Sequence, residues 1–173
     1  MNRSYLFVLF FVWIVGVLLG LNYESVFPSL NETSVLSTKL EMKPIFGLQP
    51  TVWGFFINNL VVGLLMIVSG WLSAGSLSCI ISFWNAFIMG VLINSVISLG
   101  YSYTIIAHKV IWHGSIEILA LIMFGAIGLK GFHFLQTTFT CKPLKIYPRK
   151  ILIQTVFATA LLFVAAIIES NVI

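Results

Sequence analysis

The sequence predicts an all-α protein: a polytopic membrane bundle of about five transmembrane helices in one integral domain, residues 1–173. Three observations predict it. Hydrophobic residues make up 60% of the chain and charged residues only 8%, with a mean hydropathy of +1.07. A soluble domain carries about 25% charged residues, and a surface so poor in charge would aggregate in water. Long stretches hold no Asp, Glu, Lys or Arg, and a crossing needs about 20 apolar residues. The few charges fall between those stretches, with the basic ones gathered on one side.

A net charge of +4 and a pI near 9.2 would suggest nucleic acid in a soluble protein. In this composition they report loops selected for membrane orientation, and no nucleic-acid partner is expected. Two cysteines, Cys79 and Cys141, make no disulfide framework. The expected location is the cell membrane, multi-pass, with the lipid bilayer as first partner.

Residues 4–23 carry no charge and follow Arg3, giving a first span at 5–22. The apolar run is long for a signal peptide and no small-x-small cleavage site closes it, so an uncleaved helix is expected. The loop 23–50 is polar, with prolines at 28 and 44 and acids at 24, 32 and 41. Ser34 to Met42 fits a short interfacial helix, and Asn31-Glu32-Thr33 fits a glycosylation sequon.

Residues 44–108 carry no formal charge and hold two spans, with GWLSAGS at 70–76 as the turn. The second span is expected at 52–69 and the third at 77–99. The fourth, 109–130, and the fifth, 151–168, flank a basic loop at 131–150. With the amino terminus inside, Arg3, Lys130, Lys142, Lys145, Arg149 and Lys150 lie on the cytoplasmic side, against Lys39, Lys43 and Lys109 outside. That bias predicts N-terminus in and C-terminus out. The basic, aromatic loop 131–150 suits anionic lipid or a cytoplasmic partner such as a transporter ATPase.

The third span repeats Ser82, Ala86, Gly90, Asn94 and Ser98 every four residues. Such a stripe lets backbones approach closely in lipid, within the chain or between copies in a homo-oligomer. The fourth span carries the chemistry-bearing residues. His113 and Glu117 share one helix face, offset by about 40°, and a carboxylate at membrane depth needs a partner, a proton or water. Counting from the same side, Asn58 and Asn59 lie about 10 Å down, with Glu117 and Asn94 in the same layer. Asn85 is deeper.

Three readings of this His-Glu-Asn cluster stay open. It is a hydrogen-bonded network that fixes helix register, a proton or ion site on Glu117, or a catalytic pair with Glu117 as base and His113 as acid or metal ligand. A divalent metal has only weak support, because HGxxE lacks the second histidine of HExxH and His108 points about 140° away.

The order of motifs resembles a known family. Phe56-Ile57-Asn58-Asn59 is followed by Asn85-Ala86 with Gly90, by His113-Gly114 with Glu117, and by Gly125-Ala126-Ile127-Gly128 at a helix end. This resembles the stage II sporulation protein M family across roughly residues 51–131, its most specific element being histidine-glycine-x-x-glutamate. Trp112 stands where the family usually has proline, and Ala86 where it usually has glycine.

The resemblance implies five helices. It also implies a role either as a scaffold for cell-envelope enzymes in sporulation or as a component of peptide clusters, circular bacteriocins above all. The expectation is a membrane component of peptide maturation, export or immunity, working with other membrane subunits, an ATPase and a peptide substrate. A membrane-embedded hydrolase or transpeptidase using His113 and Glu117 is the enzymatic alternative, and the sporulation-type scaffold the structural one.

Overall fold

The computed structural model describes residues 3–23, 51–100, 102, 104, 114–139 and 148–172. Among them there are six helices and no strand. They are α1 (Arg3–Leu21), α2 (Val52–Leu72), α3 (Ser76–Ser98), α4 (Ser115–Gly128), α5 (Lys130–Phe139) and α6 (Pro148–Val172). Because α5 carries on from α4 after a turn at Leu129, Ser115–Thr137 counts as one apolar stretch. Five helical segments are thus long and apolar enough to cross a membrane. The chain is an all-helical, multi-pass membrane protein.

Several expectations fall outside the described residues: the helix and sequon within 24–50, His108, His113, Cys141, and the prolines and lysines of 140–147. The fourth span, expected at 109–130, is described from Gly114 onward. Helix α5 occupies the first part of the expected loop 131–150, where Phe132, Phe134 and Leu135 prolong the apolar run.

Local signals set the helix ends. Thr51 caps α2 by accepting the Gly54 N–H on its hydroxyl at 3.2 Å, meeting one of the donors a helix start leaves free. The α2–α3 turn is a tight left-handed reversal. Ala74 and Gly75 have φ of 55° and 88°, and the Gly75 N–H returns to the Gly70 carbonyl at 2.6 Å. That closes the last turn of α2 as in a Schellman motif, with alanine rather than glycine in the first left-handed position. Ser73 stitches the corner, donating to Ser69 O at 2.7 Å and accepting from Leu77 N at 3.0 Å.

Helix α4 is the axis of the bundle. It packs against α1, α2, α3 and α6, and every residue from Ala120 to Gly128 is buried. In the stretch Ser115–Thr137, which α4 opens, 61% of the most apolar 18 residues are buried, against 22% in each of the other four spans. A helix apolar on all sides belongs inside a bundle. The other spans turn large apolar side chains outward, among them Phe7, Leu72, Ile80 and Leu152, as lipid contact requires.

Two seams hold the helices at close range. Helices α1 and α3 run parallel, with Gly16 against Ala86 and Phe83, and Gly20 against Gly90 and Phe87. A Cβ at Gly90 would stand on the Val17 carbonyl oxygen, so only glycine permits this approach. The second seam joins α2 to α4: Gly63 lies under the Phe124 ring, and Gly70 faces Gly128 beside Ser78. There Ser78 Oγ donates to Met66 O at 2.5 Å and Trp71 Nε1 donates to Ile127 O at 3.2 Å.

Candidate functional site

Glu117 lies in the first turn of α4, half-buried, with Gly114 already in right-handed helical conformation before it. On α6, Ala158, Leu162, Ala165 and Ala166 are buried, and Glu169 follows them at the three- and four-residue spacing of one helix face. The α4–α6 register is antiparallel and is fixed at the other end, where Lys130 Nζ donates to Gln154 Oε1 at 2.7 Å. From Lys130 back to Glu117 a helix rises about 20 Å, and from Gln154 to Glu169 about 22 Å. The two acids therefore come to one level, Glu117 on α4 and Glu169 on α6.

Glu169 is the site residue that sequence reasoning missed. In the sequence it stands only at the end of the charge-free run 151–168, and the α4–α6 register brings it level with Glu117. The available signal was depth: counted along the fifth span, it falls in the same layer as Glu117.

The asparagines are placed differently from one another. Helix α2 runs parallel to α4, with Met66 beside Gly125 and Gly70 beside Gly128, and this register carries Asn58 and Asn59 to the level of Glu117. Asn58 Nδ2 reaches Asn59 Oδ1 at 3.5 Å, while Asn58 Oδ1 is buried without a partner. Asn85 Nδ2 donates to Ile81 O at 2.8 Å, along its own helix. Asn94 is half-buried. It lies about 24 Å along α3 from Ser78, whereas Glu117 lies about 16 Å along α4 from Gly128, the residue packed on Ser78. Asn94 is thus farther out than Glu117 by more than a turn. Among the described residues no hydrogen bond joins Glu117 to an asparagine.

Phe56 and Leu60 of α2 pack on Ala120, Phe124 and Leu162, the layer next to the acids. Trp53, Phe56 and Phe163 form an aromatic group along the α2–α6 seam, with the Phe56 and Phe163 rings 5.3 Å apart and edge to face. Packing residues predicted for the seams are buried: Ser82, Ala86, Gly90, Gly125 and Gly128. Among the described residues no three of His, Cys, Asp and Glu gather to hold a metal ion. Glu117 and Glu169 by themselves offer two carboxylates, which are hard oxygen ligands.

Four apolar spans around a buried central one, with acids at one end of the bundle, define a polytopic α-helical membrane protein. A family model, Stage II sporulation protein M, matches residues 5–172, nearly the whole chain, and the chain belongs to that family. No curated relative and no solved structure matches it.

Proposed function

We propose that this chain is a membrane subunit of a peptide maturation, export or immunity system, a circular bacteriocin being the fitting substrate class, and that Glu117 and Glu169 together are its working site. What carries the reading is the meeting of these two acids from α4 and α6 at one end of the apolar bundle. Two negative charges so placed repel, so the pair is stable when it shares a proton or a cation between its oxygens. A subunit that binds and releases such a charge couples readily to the movement of a basic peptide.

In this reading the amino terminus is cytoplasmic and the acids lie in the outer half of the bilayer. The lysine-rich 130–150 region then meets an ATPase or other subunit inside. The family's shorter, peptide-cluster members support the substrate class by analogy.

The same pair favours one second reading. Neighbouring carboxylates that share a proton are an acid–base couple for peptide hydrolysis or transpeptidation. In that case Glu169, rather than His113 alone, is the partner of Glu117. A sporulation-type scaffold needs neither acid.

The test replaces Glu117 and Glu169 singly by Gln in a cell that makes the peptide, with subunit abundance followed by immunoblot. Expected is normal abundance with secreted peptide reduced about a hundredfold, the scale of losing an acid–base group. Mature peptide trapped inside supports export, and unprocessed precursor supports hydrolysis. Normal secretion from both variants leaves the scaffold reading in place of this one.

A further inference from the structure

The two ends of the α1–α3 packing differ. Toward the acids the helices close on each other glycine to glycine, at Gly20 and Gly90. Toward the other end α1 has no glycine, and a cavity of about 300 Å³ stays open there. Its walls are Tyr5 and Val8 of α1, Gly75 and Cys79 at the start of α3, and Leu129 and Phe132 at the α4–α5 junction. The register agrees with this grouping. Counted back from Gly16 beside Ala86, parallel helices set Val8 level with Ser78 and Tyr5 level with Gly75.

The floor of the cavity is packed and its mouth is open. A Cβ on Gly75 would stand against the Leu129 side chain, so the α2–α3 turn is seated on that buried leucine. Val8 is 44% exposed and Phe132 54%. No charged side chain lines the space, and the Ser76 hydroxyl at its edge already donates to Ser73 O at 2.8 Å. An apolar cavity of about 150 Å³ stays dry and takes up benzene. This one is larger and has room for a longer hydrocarbon.

Charge decides which hydrocarbon. The described basic residues, Arg3, Lys130, Arg149 and Lys150, all fall at this end, and Glu117 and Glu169 at the other. Arg3 is exposed and stands two residues before Tyr5, about 3 Å along α1. Lys130 follows Leu129 directly, and Gln154, which accepts from it, is neutral and leaves its charge in place. Basic residues at a membrane end attract anionic headgroups. We propose that this cavity is a site for an anionic phospholipid. One acyl chain enters past Val8 and Phe132 and lies against Cys79 and Leu129, and the headgroup stays at the level of Arg3 and Lys130. The site is independent of Glu117 and Glu169, which lie at the far end of the bundle.

Native mass spectrometry of the full chain tests it, after detergent purification with equal amounts of phosphatidylglycerol and phosphatidylcholine. Expected is one retained lipid per chain, phosphatidylglycerol exceeding phosphatidylcholine about fivefold, the scale of one basic residue at an anionic surface. Arg3→Gln should bring the two lipids near parity. Val8→Trp, which fills the mouth, should lose the lipid, whereas Ile80→Trp, on an exposed position of α3 outside the cavity, should keep it. A second measurement needs no altered core during folding: in the Cys141→Ser chain, N-benzylmaleimide placed on Cys79 after purification should also expel the lipid. Retention unchanged by both Val8→Trp and the Cys79 adduct overturns the site. Equal retention of the two lipids by the unaltered chain overturns its anionic character. A lipid-free dimer that Val8→Trp splits would give the cavity to a second copy instead.

Discussion

At the scale of single residues, contact distance decides more than hydrogen bonding does. Trp71 gives its Nε1 hydrogen to Ile127 O, and Ser78 gives its hydroxyl hydrogen to Met66 O. Between membrane helices such a bond contributes about 0.6 kcal/mol, because the separated helices find other partners. Gly70, next to Trp71 in the chain, has no room for a Cβ, with Ser78 Oγ and the Gly128 backbone against it. Overpacking of that kind costs about 1–3 kcal/mol. Trp71→Phe is therefore expected to weaken the folded bundle by about 0.6 kcal/mol and Gly70→Ala by more. Reversible SDS unfolding of both variants measures the two, and the reverse order would contradict the packing described for α2 and α4. Glu117 was legible in the sequence because a charge inside an apolar run has few innocent explanations. Glu169 was not, since a charge at the end of a run also marks a boundary.

At the scale of elements, charge-free runs predicted where helices lie, and small residues predicted how two of them touch. Ala86 and Gly90 do line the α1–α3 seam and Ser82 before them is buried, but the repeat leaves the interior before its expected end: Ser95 is buried, Asn94 half-buried and Ser98 exposed. The reason is geometric. Each four-residue step turns about 40° round an α-helix, so a four-residue ridge stays against its neighbour only while the helices cross. The seam is also a prediction about α1. With a protease site introduced into the 24–50 loop, cleaved wild-type α1 should stay bound to the remaining helices through detergent purification. Gly90→Leu, which drives a branched side chain into the Val17 carbonyl and Gly20, should release it. A cut α1 that co-purifies with the Gly90→Leu protein would mean that α4, which also touches α1, holds it without the seam.

At the scale of the whole molecule, the order of helices round the bundle was the part hydropathy could not reveal. Helix α1 and the last span have the highest hydropathy, 2.5, yet they are outer helices, while the central stretch Ser115–Thr137 has only 1.9. Lipid selects apolar side chains on the outside, whereas the centre admits glycine, a carboxylate and a lysine bonded to Gln154. What the sequence does predict at this scale is orientation, because basic residues resist transfer and collect on the cytoplasmic side. The five described spans alternate in direction, so α1 and α3 leave toward the side from which α2 and α4 enter. Arg3, Lys130, Arg149 and Lys150 all fall at one end, and Glu117 and Glu169 at the other. An alkaline phosphatase fused after Ile173 should be active and a fluorescent protein there dark, while fusions at residue 145 should give the opposite pair. Replacing Lys142, Lys145, Arg149 and Lys150 by Gln, with two arginines added to the 24–50 loop, should invert a share of the chains and turn both reporters at Ile173 round. If the fusions at 145 report the outer side in the unaltered chain, Glu117 and Glu169 lie in the inner leaflet. Peptide movement coupled to them would then have to begin from the cytoplasm.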